Sequence, residues 1–109
     1  MIEGFDKHSV VILNLVNPKE KFWGVLLSIS PVGVTFRGIN LDSFEDWVRQ
    51  VAKGGEDQTL DLATMFVPLF RLERIFLDEA VGSVQSYAEH FEQTVGSSVK
   101  AYLGIAESE

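Results

Sequence analysis

The sequence has no cysteine, which excludes a disulfide framework and any thiolate nucleophile or ligand. It has only two histidines, His8 and His90, far apart and in no His-Glu-x-x-His spacing, so the usual zinc signature is missing. Basic residues are scarce, nine against sixteen acidic ones, for a net charge of −7. Such a chain repels phosphate backbones at long range and disfavours non-specific binding to nucleic acid or anionic membrane. Long apolar runs are absent: Val10–Leu13 and Val25–Leu27 are far too short to span a bilayer. The stretch from Met1 to Lys7 carries acidic residues and no apolar segment of the kind a signal peptide needs. Together with the missing cysteines, this leads to the expectation of a cytoplasmic protein without a membrane partner.

Signatures of chemistry are missing as well. Gly54-Gly55 lacks the Lys-Ser/Thr of a phosphate loop, and Ser83, Ser97 and Ser98 lie outside any nucleophile-elbow pattern. Asp42, Glu45 and Asp46 read as first-turn residues that oppose a helix dipole. Glu56, Asp57 and Asp61 do not follow the alternate-position spacing of a calcium loop. The expectation is therefore no catalytic residue, no metal ligand and no cofactor.

What remains is a core-forming composition: 46% hydrophobic residues and twelve aromatics, eight of them Phe, in 109 residues. That suits one domain, 1–109, of a size at which a partner subunit helps stability. Charge is uneven, with four basic and three acidic groups in residues 1–41 against five and thirteen in residues 42–109.

Ser9–Val16 is β-branched and almost wholly apolar, which predicts a strand buried on both faces. Asn17-Pro18-Lys19-Glu20 reads as a hairpin loop, since Asn-Pro favours turn initiation. Phe22–Ile29 is a second strand, and Ser30-Pro31-Val32-Gly33 has the Pro and Gly positions of a type I turn. Val34–Leu41 is a third strand. The interior glycines Gly24 and Gly38 mark bends, so the meander curls. Phe44, Trp47, Val48, Val51 and Ala52 then fall on one helical face, with Asp42 or Ser43 as cap and Lys53-Gly54-Gly55 as stop. Glu56–Asp61 reads as a solvated, mobile loop. Leu62–Val67 and Leu72–Leu77 are two further strands joined across Pro68. From Ser83, read as a cap, the stripe Val84, Tyr87, Ala88, Phe91 and Val95 predicts a C-terminal helix. Gly96-Ser97-Ser98 interrupts it, Val99–Ala106 extends it, and Glu107 to Glu109 fray.

FWGVLLSI at Phe22–Ile29, with its bend glycine, and Phe66-Val67-Pro68 followed by Leu72-Glu73-Arg74-Ile75, resemble the bent second strand and last two strands of Sm-like small barrels, including the Hfq type. The resemblance covers Val10–Leu41 and Met65–Asp78. It implies a five-stranded barrel that assembles into rings through edge-strand pairing and, commonly, RNA binding. The chain departs from the pattern where bases are bound. Ser30-Pro31-Val32-Gly33 supplies neither the usual Asp nor Asn, and Pro68-Leu69-Phe70-Arg71 has one basic residue. The helix after the third strand is an insertion.

The fold expected is mainly β with helices (α+β), a five-stranded strongly bent antiparallel sheet or a small Sm/SH3-like barrel. The barrel core covers about 9–79 and the helical segment about 83–106. A flat, open α+β sandwich with both helices on one face is the alternative. The function expected is that of an interaction or scaffold domain that self-associates as a homo-oligomer or takes a protein partner. Trp23, Tyr87 and Phe91 are its contact residues, because one of Phe22 and Trp23 must point away from the barrel interior. An Sm-like nucleic-acid binder using Lys19, Lys21, Arg37 and Arg71 as phosphate contacts is a second reading. A small-ligand-binding domain is a third.

Overall fold

A computed structural model describes residues 2–106; the expected fraying of Glu107 to Glu109 lies outside the described residues. Five strands form one antiparallel sheet: β1 (Val10–Leu15), β2 (Glu20–Ser30), β3 (Gly33–Asn40), β4 (Ala63–Pro68) and β5 (Leu72–Leu77). Their order across the sheet is β4-β3-β2-β1-β5, so β4 and β5 are its two edges. No ladder joins those edges, and the closed form of the barrel is therefore not what the chain adopts.

The open alternative holds in its unclosed sheet and in carrying the helices on one face, but the sheet is not flat, because one connection is too short. β4 and β5 sit at opposite edges, yet only the 3-10 turn Leu69–Arg71 joins them. Four strand spacings in a flat sheet amount to about 19 Å, while the four residue steps from Pro68 to Leu72 span at most about 14 Å. The sheet must curl, and burial confirms it. Val11, Leu13, Leu26, Val34 and Phe36 are fully buried on the face opposite the helices. They pack with Met65 and Val67 of β4 and with Leu72 and Ile75 of β5, so side chains from both edges meet in one cluster.

The bend falls where two glycines face each other. Gly24 pairs with Gly38 across β2 and β3. A Cβ at Gly24 would stand 2.5 Å from the Gly38 Cα, and one at Gly38 would stand 2.5 Å from the Phe36 ring. Only residues without side chains allow this approach. The register then slips between Leu26 and Ser28, a bulge that turns β2 further.

The other face carries three helices: α1 (Phe44–Ala52), α2 (Tyr87–Val95) and α3 (Val99–Leu103). Phe44, Trp47 and Val48 of α1, Phe91 of α2 and Val99 of α3 bury Trp23, Val25 and Ile39 of the sheet. Trp47 stacks on Phe91 with ring centroids 4.9 Å apart, and Trp23 meets Phe44 edge to face at 4.9 Å.

Several local expectations are corrected. Neither Asp42 nor Ser43 caps α1 through its side chain. A 3-10 turn, Leu41–Ser43, precedes the helix, and Asn40 caps that turn by accepting from the Asp42 N–H at 2.8 Å. The cap of α2 is Ser86, not Ser83. Ser86 Oγ accepts from the Glu89 N–H and the Glu89 carboxylate accepts from the Ser86 N–H, a reciprocal pair that satisfies two end donors. Val84 thus lies outside the helix, bridged to Val81 and exposed. The end of the acidic loop, Thr59 to Asp61, is hydrogen-bonded to α1 and α3, while Glu56 and Asp57 are exposed. Gln50 Oε1 accepts from the N–H groups of Thr59 and Leu60 at 2.8 and 3.0 Å, and the Tyr102 hydroxyl donates to Asp61 at 3.0 Å.

Candidate interaction surface

Alternation along β4 turns Met65 and Val67 into the curled core and leaves Thr64 and Phe66 on the outer face. α1 and α2 lie over the middle of the sheet, so Phe66 at the edge remains 52% exposed. Its ring rests against Gly33, 2.5 Å from where a Cβ would stand. The turn that follows places Leu69 and Phe70 outward, and Leu69 N–H donates to the Val32 carbonyl at 2.9 Å. Val32, Phe66, Leu69 and Phe70 thereby form one apolar surface at the β4 edge, with Phe70 80% exposed.

The opposite edge is apolar as well. On β5, Phe76 stands opposite Ile12 on the outer face and Leu77 opposite Val11. Both are exposed, as are Val81 and Val84 beyond the strand end. The Arg74 guanidinium lies 5.9 Å from the Phe76 ring centroid. Among the described residues β5 pairs only with β1 and β4 only with β3, so each edge also presents backbone donors and acceptors that no described strand pairs.

The residues expected as contacts are placed differently. Trp23 does point away from the curled interior, but the helices cover it completely. Its indole N–H donates to Asp78 Oδ2 at 2.9 Å. Phe91 is also fully buried, against Trp47 and Tyr102. Both are core residues of the helix face and present nothing to a partner. Tyr87 reaches the surface at 40% exposure while its ring packs edge-on against Phe44 at 5.1 Å. His90 Nε2 lies 2.9 Å from Glu45 Oε1, joining α2 to α1.

The four basic residues do not form one patch. Arg37 sits in β3 between Val25 and Thr64. Arg71 spends its donors internally: Nε to the Val16 carbonyl at 2.6 Å, and Nη2 to the Pro18 carbonyl at 3.0 Å and to Glu20 at 2.8 Å. It staples the β4–β5 turn to the β1–β2 hairpin and is not free for a phosphate. Lys19 and Lys21 are exposed and line a cleft of about 560 Å³ with Asn14, Asn40 and Asp42. Among the described residues, no group of three or more His, Asp or Glu side chains is placed to share a metal ion. No described helix is long and apolar enough to cross a membrane.

The exposed apolar residues of the two edges were the ones sequence reasoning missed. A signal existed for two of them: Phe66 holds the outward phase of its strand, and Phe70 is a large aromatic inside a turn. No protein-family profile, curated protein or solved structure matches the chain.

Proposed function

We propose that this chain is an interaction domain that self-associates through the two open edges of its sheet. The observation that carries the reading is that β4 and β5 are both unpaired on their outer sides and both bordered by exposed apolar side chains. Two different edges on one molecule favour a head-to-tail contact, β4 of one copy against β5 of the next, and such heterologous contacts close into rings or run on as filaments. Backbone pairing supplies the ladder, and burial of Phe66, Phe70 and Phe76 supplies the driving force. The resemblance to Sm-like barrels supports this reading, through the glycine-bent second strand and the tight turn between the last two strands. An Sm-like barrel completed between neighbouring copies is the finer form of the proposal.

Light scattering on a sizing column tests it. The expected result is a species several times the 12.2 kDa of one chain. Phe70→Asp at one edge and Phe76→Asp at the other should each reduce that species to monomer while leaving the Trp23/Trp47 fluorescence of the covered face unchanged. A wild-type protein that stays monomeric at high micromolar concentration would overturn the proposal.

A further inference from the structure

The backbone of each open edge shows which of its groups face outward. Antiparallel pairs alternate between residues that exchange both backbone bonds and residues that exchange none. The Leu69 N–H donates to the Val32 carbonyl at 2.9 Å, just beyond the Gly33–Pro68 pair, so that pair exchanges none. Val34–Val67 and Phe36–Met65 are then the bonded pairs, and Thr64 and Phe66 turn their N–H and C=O groups away from β3. At the other edge the Asp78 N–H donates to the Val10 carbonyl at 2.9 Å, just beyond the Val11–Leu77 pair. Phe76 therefore bonds to β1, while Ile75 and Leu77 direct their backbone groups outward. The open groups of β4 thus belong to residues of the helix-bearing face, and those of β5 to residues of the curled face.

Resting on the self-association read above, we propose that β4 of one copy pairs in parallel with β5 of the next, with Phe66 opposite Phe76. Directly opposed residues share a face of a sheet. In an antiparallel ladder the bonded residues are the opposed ones. Thr64 and Phe66 would then oppose Leu77 and Ile75, joining the helix-bearing face of one copy to the curled face of the next. In a parallel ladder a residue bonds to the two neighbours of the one opposite it, and the faces run on unbroken. Strand direction agrees, because four antiparallel steps separate β4 from β5 and the two edges run the same way. In this register the Phe66 N–H donates to the Ile75 carbonyl of the next copy. The Leu77 and Ile75 N–H groups of that copy donate to the Phe66 and Thr64 carbonyls. Phe66 meets Phe76 on the helix-bearing face, and Met65 and Val67 meet Ile75 and Leu77 on the curled face. Pro68, which has no N–H, falls opposite Asp78, just past the end of β5. A shift of two residues either way would set Phe66 against Arg74 or Asp78 instead.

Because the chain has no cysteine, single-cysteine variants mixed in pairs report opposed positions by disulfide formation, which needs Cα atoms within about 7 Å. Thr64, Arg74 and Leu77 are all exposed. Thr64→Cys mixed with Arg74→Cys in a glutathione redox buffer should give a disulfide-linked dimer on a non-reducing gel, lost when the mixture is made in urea. Thr64→Cys mixed with Leu77→Cys should give no more than the urea background, since three residues of offset separate those positions by about 10 Å along the strands. Linkage of Thr64→Cys to Leu77→Cys instead would show an antiparallel ladder, overturning the parallel register while self-association through the edges stands. Thr64→Cys linking mainly to itself would show two β4 edges meeting about a two-fold axis and overturn the register as well. So would a large species in light scattering that none of these pairs links, or loss of that species in Thr64→Cys or Arg74→Cys, positions where the register asks for backbone bonds alone. A wild-type protein that stays monomeric removes self-association itself, and the register with it.

Discussion

Asp78 is the residue on which the helix face is hung. Its Oδ2 accepts from the buried Trp23 indole at 2.9 Å and from the Ala88 N–H at 2.8 Å, and its Oδ1 accepts from the Tyr87 N–H at 2.9 Å. One carboxylate thus satisfies two end donors of α2, where the helix dipole favours negative charge, and the side-chain donor of a core tryptophan. Removing it leaves the indole N–H buried and alone. Asp78→Ala is expected to destabilise the protein by about 2–4 kcal/mol, from the lost charge-assisted bonds and the unpaired indole. Asp78→Asn should fall between, because an amide offers one acceptor atom in place of two. Urea unfolding followed by tryptophan fluorescence measures both, and a midpoint for Asp78→Ala equal to wild type would show that water or a neighbour replaces the carboxylate at no loss.

At the scale of elements, the bend of the sheet depends on a close approach and the hairpin on a clasp. The Gly24–Gly38 pair brings β2 and β3 together where a methyl group would meet backbone. Gly38→Ala is expected to cost about 2 kcal/mol or more, since overpacking forces the strands apart. A thermal midpoint unchanged from wild type would mean that the curl does not need that contact. Arg71 makes a different kind of link, with its fork on two carbonyls and Glu20. Arg71→Lys keeps the charge but loses the planar fork, and should raise hydrogen exchange in residues 16–20 selectively. Uniform exchange across the chain would sink this assignment.

These same elements show what was legible beforehand and why the rest was not. The strand positions, the helical stripe of α1 and the glycine at the bend of β2 follow from period and from glycine, which act within a few residues. The Ser86–Glu89 capping box was also written in the local sequence, yet the apolar Val84 drew the helix start three residues too early. Which side of β2 the helices cover is a long-range fact. Phe22 and Trp23 alternate correctly, but only the docking of Phe44, Trp47 and Phe91 decides that Trp23 is the fully buried one. The engagement of Arg71 is of the same kind, because its partners lie more than fifty positions away.

At the scale of the whole molecule, an apolar edge contact must form between chains that each carry a net charge of −7. The apolar residues favour association, while the like net charges of approaching copies oppose it. These two terms respond oppositely to salt. Raising ionic strength from about 10 to about 150 mM shortens the screening length from about 30 to about 8 Å, which weakens the repulsion and leaves burial of Phe66, Phe70 and Phe76 in place. Self-association is therefore expected to tighten as salt rises, read as a shift of the sedimentation-velocity distribution toward larger species at fixed protein concentration. If ion pairs across the edges held the copies together instead, for example Arg74 against an acidic neighbour, the same titration would drive them apart. Dissociation on adding salt would thus reject the apolar edges as the source of assembly even if a large species had been found.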